Sequence, residues 1–85
     1  MKYHIAIKHD ADLLLQCLPK HSWMLVNTAD SVFEIDGVDY LEFMDELDFA
    51  ILDDGMNERD ELNQIGLRLQ NIRDSIYAQV DAQRK

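Results

Sequence analysis

DYLEFMDELDFAILDDG, residues 39–55, carries seven carboxylates and no cation, yet its apolar residues decide how it folds. At about 100° per residue, Tyr40, Phe43, Met44, Leu47, Ala50 and Ile51 gather on one arc, the stripe of a helix that faces a core. Asp39 followed three residues later by Glu42 resembles a capping box with Asp in place of Ser or Thr. Gly55 is placed to stop the helix, so the spacing predicts a helix from Asp39 to the residue before that glycine.

The opposite arc is harder to explain by folding alone. It holds Glu42, Asp45, Glu46, Asp48 and Asp53, and among them Leu41, Phe49 and Leu52, which a purely solvating face has no reason to carry. Apolar anchors ringed by carboxylates are the composition of a docking surface, where burial supplies affinity and charge supplies orientation and encounter rate. Like charges three and four residues apart repel by about a few tenths of a kcal/mol per pair, and no Lys or Arg lies in the helix to offset them. The competing reading wraps the helix on several sides, puts Phe49 and Leu52 in the core and leaves the acids solvated for solubility.

N-terminal to this helix, Tyr3, Ile5 and Ile7 alternate with Lys2, His4, Ala6 and Lys8, the pattern of a half-buried strand. Asp10 is placed to cap a short helix through Leu18, which Pro19 closes. Trp23 to Val26 and Ser31 to Ile35 read as an antiparallel hairpin turning through Asn27 to Asp30. On the C-terminal side, Asn57 with Glu58, Asp60 and Glu61 favours the start of a third helix reaching about Ala82. The expected order is β-α-β-β-α-α: one α+β domain over residues 1–85, with a three-stranded sheet, a short helix and a C-terminal two-helix hairpin. The short helix is expected on one face of the sheet and the long pair on the other.

Leu62, Ile65, Leu69, Ile72 and Ile76 follow at spacings of 3, 4, 3 and 4 before Gln79 interrupts the seam and Val80 extends it off register. A helix from about 58 to 82 outruns its neighbour by two or three turns, so Ile76, Tyr77 and Val80 need cover from the sheet or from a second copy of the chain. Gly66 in mid-helix costs about 1 kcal/mol relative to Ala and points to a close backbone approach.

The net charge of −9 is concentrated: residues 30–61 hold thirteen carboxylates against Arg59 alone. So dense an anionic patch with no basic stripe disfavours direct binding to nucleic-acid phosphates and favours a basic protein partner. No segment has the continuous apolar run of a membrane span or signal peptide, and Cys17 is the sole cysteine, which together point to a cytoplasmic location. Ala50 and Leu52 stand where a calcium loop ending at Glu61 needs oxygen ligands. His4, His9 and His21 lack metal-ligand spacing, and Pro19 separates Cys17 from His21. No metal, no cofactor and no enzyme are expected, and the small chain leaves little room for a substrate cleft.

Two functions remain, with an enzyme using His4, His9 and His21 as a third and weaker option that needs the three to converge in one pocket. In the first, Leu41, Glu42, Asp45, Glu46, Asp48, Phe49, Leu52 and Asp53 occlude a basic surface of a partner, as an antitoxin, an immunity protein or a nucleic-acid mimic does. In the alternative, Leu62, Ile65, Leu69, Ile72, Ile76 and Val80 build a homodimer or larger assembly and the acidity serves solubility.

Overall fold

The computed structural model of the chain describes residues 1–56, 59 and 61–84. The expected order β-α-β-β-α-α is observed: β1 (Lys2–Ala6), α1 (Ala11–Cys17), β2 (Leu25–Ala29), β3 (Val32–Asp36), α2 (Gly37–Asp54) and α3 (Gln64–Arg84), with a 3-10 turn at Ser22–Met24. The sheet is antiparallel, in the order β1-β3-β2. Tyr3 pairs with Ile35 and Ile5 with Phe33, while Leu25 faces Ile35 from the other side, so one pleat collects every buried strand residue.

All three helices serve that single face. α2 lies over β3, α3 runs beside β1 and α2, and α1 rests against α2. The opposite face presents Lys2, His4 and Val26 to solvent around a Glu34 that pairs with Lys2, so the expected helix on each side is corrected to helices on one side. The alternation in β1 already carried this asymmetry, since only one of its two rows is apolar.

Several boundaries differ from those expected. Asp36 caps α2, not Asp39: its backbone is extended and its Oδ1 accepts the Val38 N–H at 2.9 Å, which places Asp39 in the first turn. Asp10 precedes α1 but caps it only through its backbone, its carbonyl accepting the Leu14 N–H at 3.0 Å while its carboxylate makes no cap bond. The hairpin turns at Asp30 and Ser31, the latter at φ 59°. Asn27 and Thr28 belong to β2, where a bulge is braced by their side chains donating to the Val32 carbonyl at 3.5 and 3.4 Å.

The helix starts proposed at Asn57, Glu58 and Asp60 lie outside the described residues. α3 begins after Asn63, whose Oδ1 accepts the Gly66 N–H at 2.9 Å. The same residue ties down the end of α2, its backbone N–H donating to the Gly55 carbonyl at 2.8 Å and its Nδ2 to the Asp54 carbonyl at 3.2 Å. At this junction the glycines meet. A Cβ on Gly55 would lie 2.5 Å from the Gly66 Cα, and one on Gly66 would overlap the Gly55 carbonyl. Gly66 therefore does mark a close backbone approach, between α2 and α3 of one chain, but it stands in the first turn of α3 and not in mid-helix.

The overhang of α3 is covered by the sheet. Ile76 and Val80 are fully buried, and Tyr77 packs edge-on to Tyr40, whose ring meets Tyr3 5.5 Å away, centroid to centroid. Arg84 closes the cluster, its Nε donating to the Tyr3 hydroxyl at 3.1 Å and its guanidinium 5.3 Å from the Tyr40 ring centre. Gln79, which interrupts the apolar seam, faces the edge of β1. Its amide accepts from the Ala6 N–H at 2.7 Å and donates to the Ala6 carbonyl at 3.0 Å. One turn later Gln83 does the same for His4, at 2.9 and 2.6 Å. Two side-chain amides thus stand in for a neighbouring strand along an edge that would otherwise invite pairing.

Candidate functional site

The outer face of α2 carries the residues that the sequence marked for partner binding. Val38, Leu41, Phe49 and Leu52 are 87%, 68%, 58% and 58% exposed. At 100° per residue these four fall within an arc of about 80°, opposite the core-facing stripe, and span about 21 Å of helix axis at 1.5 Å per residue. Asp45 is also exposed and sits at the middle of that arc. Glu42, Glu46 and Asp53 flank the arc on one side and Asp48 on the other, with Glu46 and Asp48 half-exposed. The helix is therefore apolar on two opposite faces, and only one of them is used by the fold.

The carboxylates are not equivalent. Asp48 is engaged within the chain: Arg73 Nη1 from α3 donates to its Oδ1 at 3.2 Å, while the same guanidinium holds Asp74 at 3.3 Å. The cation absent from α2 thus comes from the neighbouring helix, and Asp48 belongs to the α2–α3 contact as much as to the exterior. Burial alone would lower the Arg73 pKa, but the hydrogen bonds to Asp48 and Asp74 and the charges of both carboxylates together outweigh it and raise the pKa. At the far end, Asp53 and Asp54 occupy the last turn of α2, which contains no basic residue. Carboxylates at a helix C-terminus oppose the macrodipole by roughly 0.3–1 kcal/mol each, so helix stability does not account for them. Burial pushes the Cys17 thiol above its ordinary range, and the charge of Asp54 adds to that shift.

The residues of the alternative reading have a different fate. Leu69, Ile72, Ile76 and Val80 are buried inside the chain, Leu62 is half-buried against the same core and Ile65 is exposed. The seam is spent on β1 and α2.

Sequence reasoning did not pick out Val38, which preceded the expected helix start, nor the surroundings of Trp23. Trp23 is in the 3-10 turn rather than in a strand and is 64% exposed. With Val26, Met24, Lys2, Glu34, Asp36 and Asp39 it lines a cleft of about 200 Å³. The signal in the sequence was a single tryptophan; its exposure and its place beside the α2 cap come from the fold.

The histidines are dispersed. His4 lies on the outer sheet face 3.7 Å from Glu34, His21 precedes the 3-10 turn, and His9 lines a cleft with Lys8, Asp10, Arg68, Asn71 and Ser75. That cleft is about 440 Å³, larger than a chain of this size was expected to offer. Among the described residues no three His, Cys, Asp or Glu side chains are grouped to hold a metal ion. Among them, too, no helix is long and apolar enough to cross a membrane. No family model, characterised protein or solved structure matches the chain.

Proposed function

We propose that this chain is a small non-enzymatic binding protein whose α2 exterior docks on and occludes a basic surface of another protein, as inhibitors of the antitoxin, immunity or nucleic-acid-mimic type do. The observation that carries the reading is the line of Val38, Leu41, Phe49 and Leu52, all exposed, with Asp45 at its centre. Covering Leu41, Phe49 and Leu52 releases hydrophobic free energy on the order of 1–2 kcal/mol per side chain. The surrounding carboxylates select a cationic surface and reject an anionic one.

The test is affinity capture from the native host at low and high salt, with variant baits as controls. Leu41→Ser with Phe49→Ser removes the anchors, and Glu42→Lys with Asp45→Lys reverses the charge while sparing the Asp48–Arg73 contact. A specific partner is expected to be a basic protein, retained at low salt, released as ionic strength rises and lost by both double variants. A partner bound equally well by wild type and both variants would remove α2 from the interface.

A further inference from the structure

We infer that the cleft beside Trp23 receives a guanidinium group, an arginine side chain of the basic partner proposed above; the inference rests on that reading and names the chemistry by which the partner is held. Four charged residues line the cleft: Lys2, Glu34, Asp36 and Asp39. Lys2 is matched by Glu34 at 3.2 Å, and His4 stands 3.7 Å from the other oxygen of the same carboxylate. Asp36 commits Oδ1 to the Val38 N–H, which leaves its second oxygen available. Asp39 has no ion-pair partner among the described residues. Two carboxylates therefore face the cleft without a matching cation.

The apolar lining of the same cleft is Trp23 with Met24 and Val26, Trp23 and Val26 being exposed. The ring is held in place, its Nε1–H donating to the Lys20 carbonyl at 3.1 Å, and most of it remains in solvent. Folding does not require a tryptophan there. An anchored indole sharing a cleft with two carboxylates suits a planar cation, which stacks on an aromatic ring while its N–H fork binds carboxylate oxygens; a compact ammonium uses such a ring less well. Asp39 lines the cleft and adjoins Val38, the first residue of the α2 outer stripe, so the cleft lies at the N-terminal end of the helix that carries the stripe. Tryptophan and arginine are also the residues that most often dominate interface energies.

Trp23 is the only tryptophan, so its emission reports this cleft and nothing else. The chain is titrated with N-acetyl-arginine amide, with the neutral isostere N-acetyl-citrulline amide and with N-acetyl-lysine amide. Arginine is expected to change the emission saturably, with a half-point on the order of 1–10 mM for so small a ligand. The Trp23 Nε1–H resonance should move with the same half-point, and Asp39→Asn or added salt should weaken the response at least about threefold. A linear response, or an equal one to citrulline, overturns the site; an equal one to lysine overturns the choice of guanidinium. A flat arginine titration beside partner capture that depends on Leu41 and Phe49 would sink the cleft and leave the α2 surface standing. A saturable arginine response with capture indifferent to α2 would do the reverse.

Discussion

Gly66→Ala is the substitution that most directly tests the α2–α3 junction, because two well-founded expectations give opposite signs. In an exposed helix interior, replacing Gly by Ala stabilises by about 1 kcal/mol. Here the added methyl meets the Gly55 carbonyl and, at 2.8 Å, Leu62 Cδ2. The leucine can turn aside, but the carbonyl is backbone and is fixed by the Asn63 N–H at 2.8 Å. Relief requires α3 to move off the end of α2, straining the two hydrogen bonds that tie Asn63 to the Gly55 and Asp54 carbonyls and the burial of Leu69 one turn on. Overpacking of this kind costs about 1–3 kcal/mol, with backbone collisions at the upper end, so the net expectation is a loss of about 2 kcal/mol. For a chain of this size that corresponds to a fall in Tm of roughly 8–16 °C. Circular-dichroism melts with urea titrations measure it, with Asn71→Ala on the exposed side of the same helix as a control expected to gain a few tenths of a kcal/mol or nothing, on the order of helix propensity alone. A Gly66→Ala protein that melts at or above wild type would show that the two backbones do not touch.

Three further outcomes are expected. Gln79→Ala with Gln83→Ala should cost roughly 1–3 kcal/mol in total, since the freed edge groups of β1 regain water, and should speed hydrogen exchange at the His4 and Ala6 amides; unchanged exchange there would contradict the edge contact. The raised thiol pKa of Cys17 means that, as pH climbs past the ordinary thiol range, the unfolded chain ionises first and stability falls until the folded thiol also ionises. The urea midpoint of wild type should therefore drop more across that alkaline window than that of Cys17→Ala, and equal slopes would deny the shift. Asp45→Leu completes an apolar line from Val38 to Leu52 and should drive self-association in sedimentation experiments where wild type does not; a variant as monodisperse as wild type would mean the line is not an accessible surface.

The order of elements was legible because each rests on a periodicity that local sequence carries. The Tyr3, Ile5, Ile7 alternation and the 3- and 4-residue spacings of α2 and α3 need no knowledge of neighbours. Boundaries were less legible, and for identifiable reasons. Asp36-Gly37-Val38-Asp39 offers two acidic caps three residues apart, and the motif favoured the second because Gly37 reads as a breaker. In the fold Gly37 is instead the first helical residue, close-packed so that a Cβ would lie 3.1 Å from the Met1 carbonyl. Asn27 and Thr28 carry turn-forming chemistry but spend it on a bulge. Contacts far apart in sequence were beyond local reasoning altogether: Gln79 looked like a defect in a seam until β1 lay beside it, and Asp48 looked unpaired until Arg73 arrived from α3. The outer residues Leu41, Phe49 and Leu52 were legible from helical angle alone, whereas the Trp23 cleft required strand, turn and helix cap to converge.

The two exteriors of α2 and α3 illustrate how differently one chain spends its apolar surface. α3 carries the stronger coiled-coil spacing, yet its apolar seam is consumed by β1, Tyr40 and the core, and its polar interruptions are put to use on a strand edge. α2 carries the weaker outer pattern, yet that pattern is what solvent sees. A second copy is a poor occupant for it. Two α2 helices packed face to face would sit about 8–10 Å apart, which brings the Glu42, Asp45 and Asp53 carboxylates of both copies within roughly one Debye length of each other. The same side chains that repel a copy attract a cation, and they do so around anchors too few to hold a neutral surface. On the function proposed above, charge and apolar surface on α2 act in the same direction, against self and toward a basic partner.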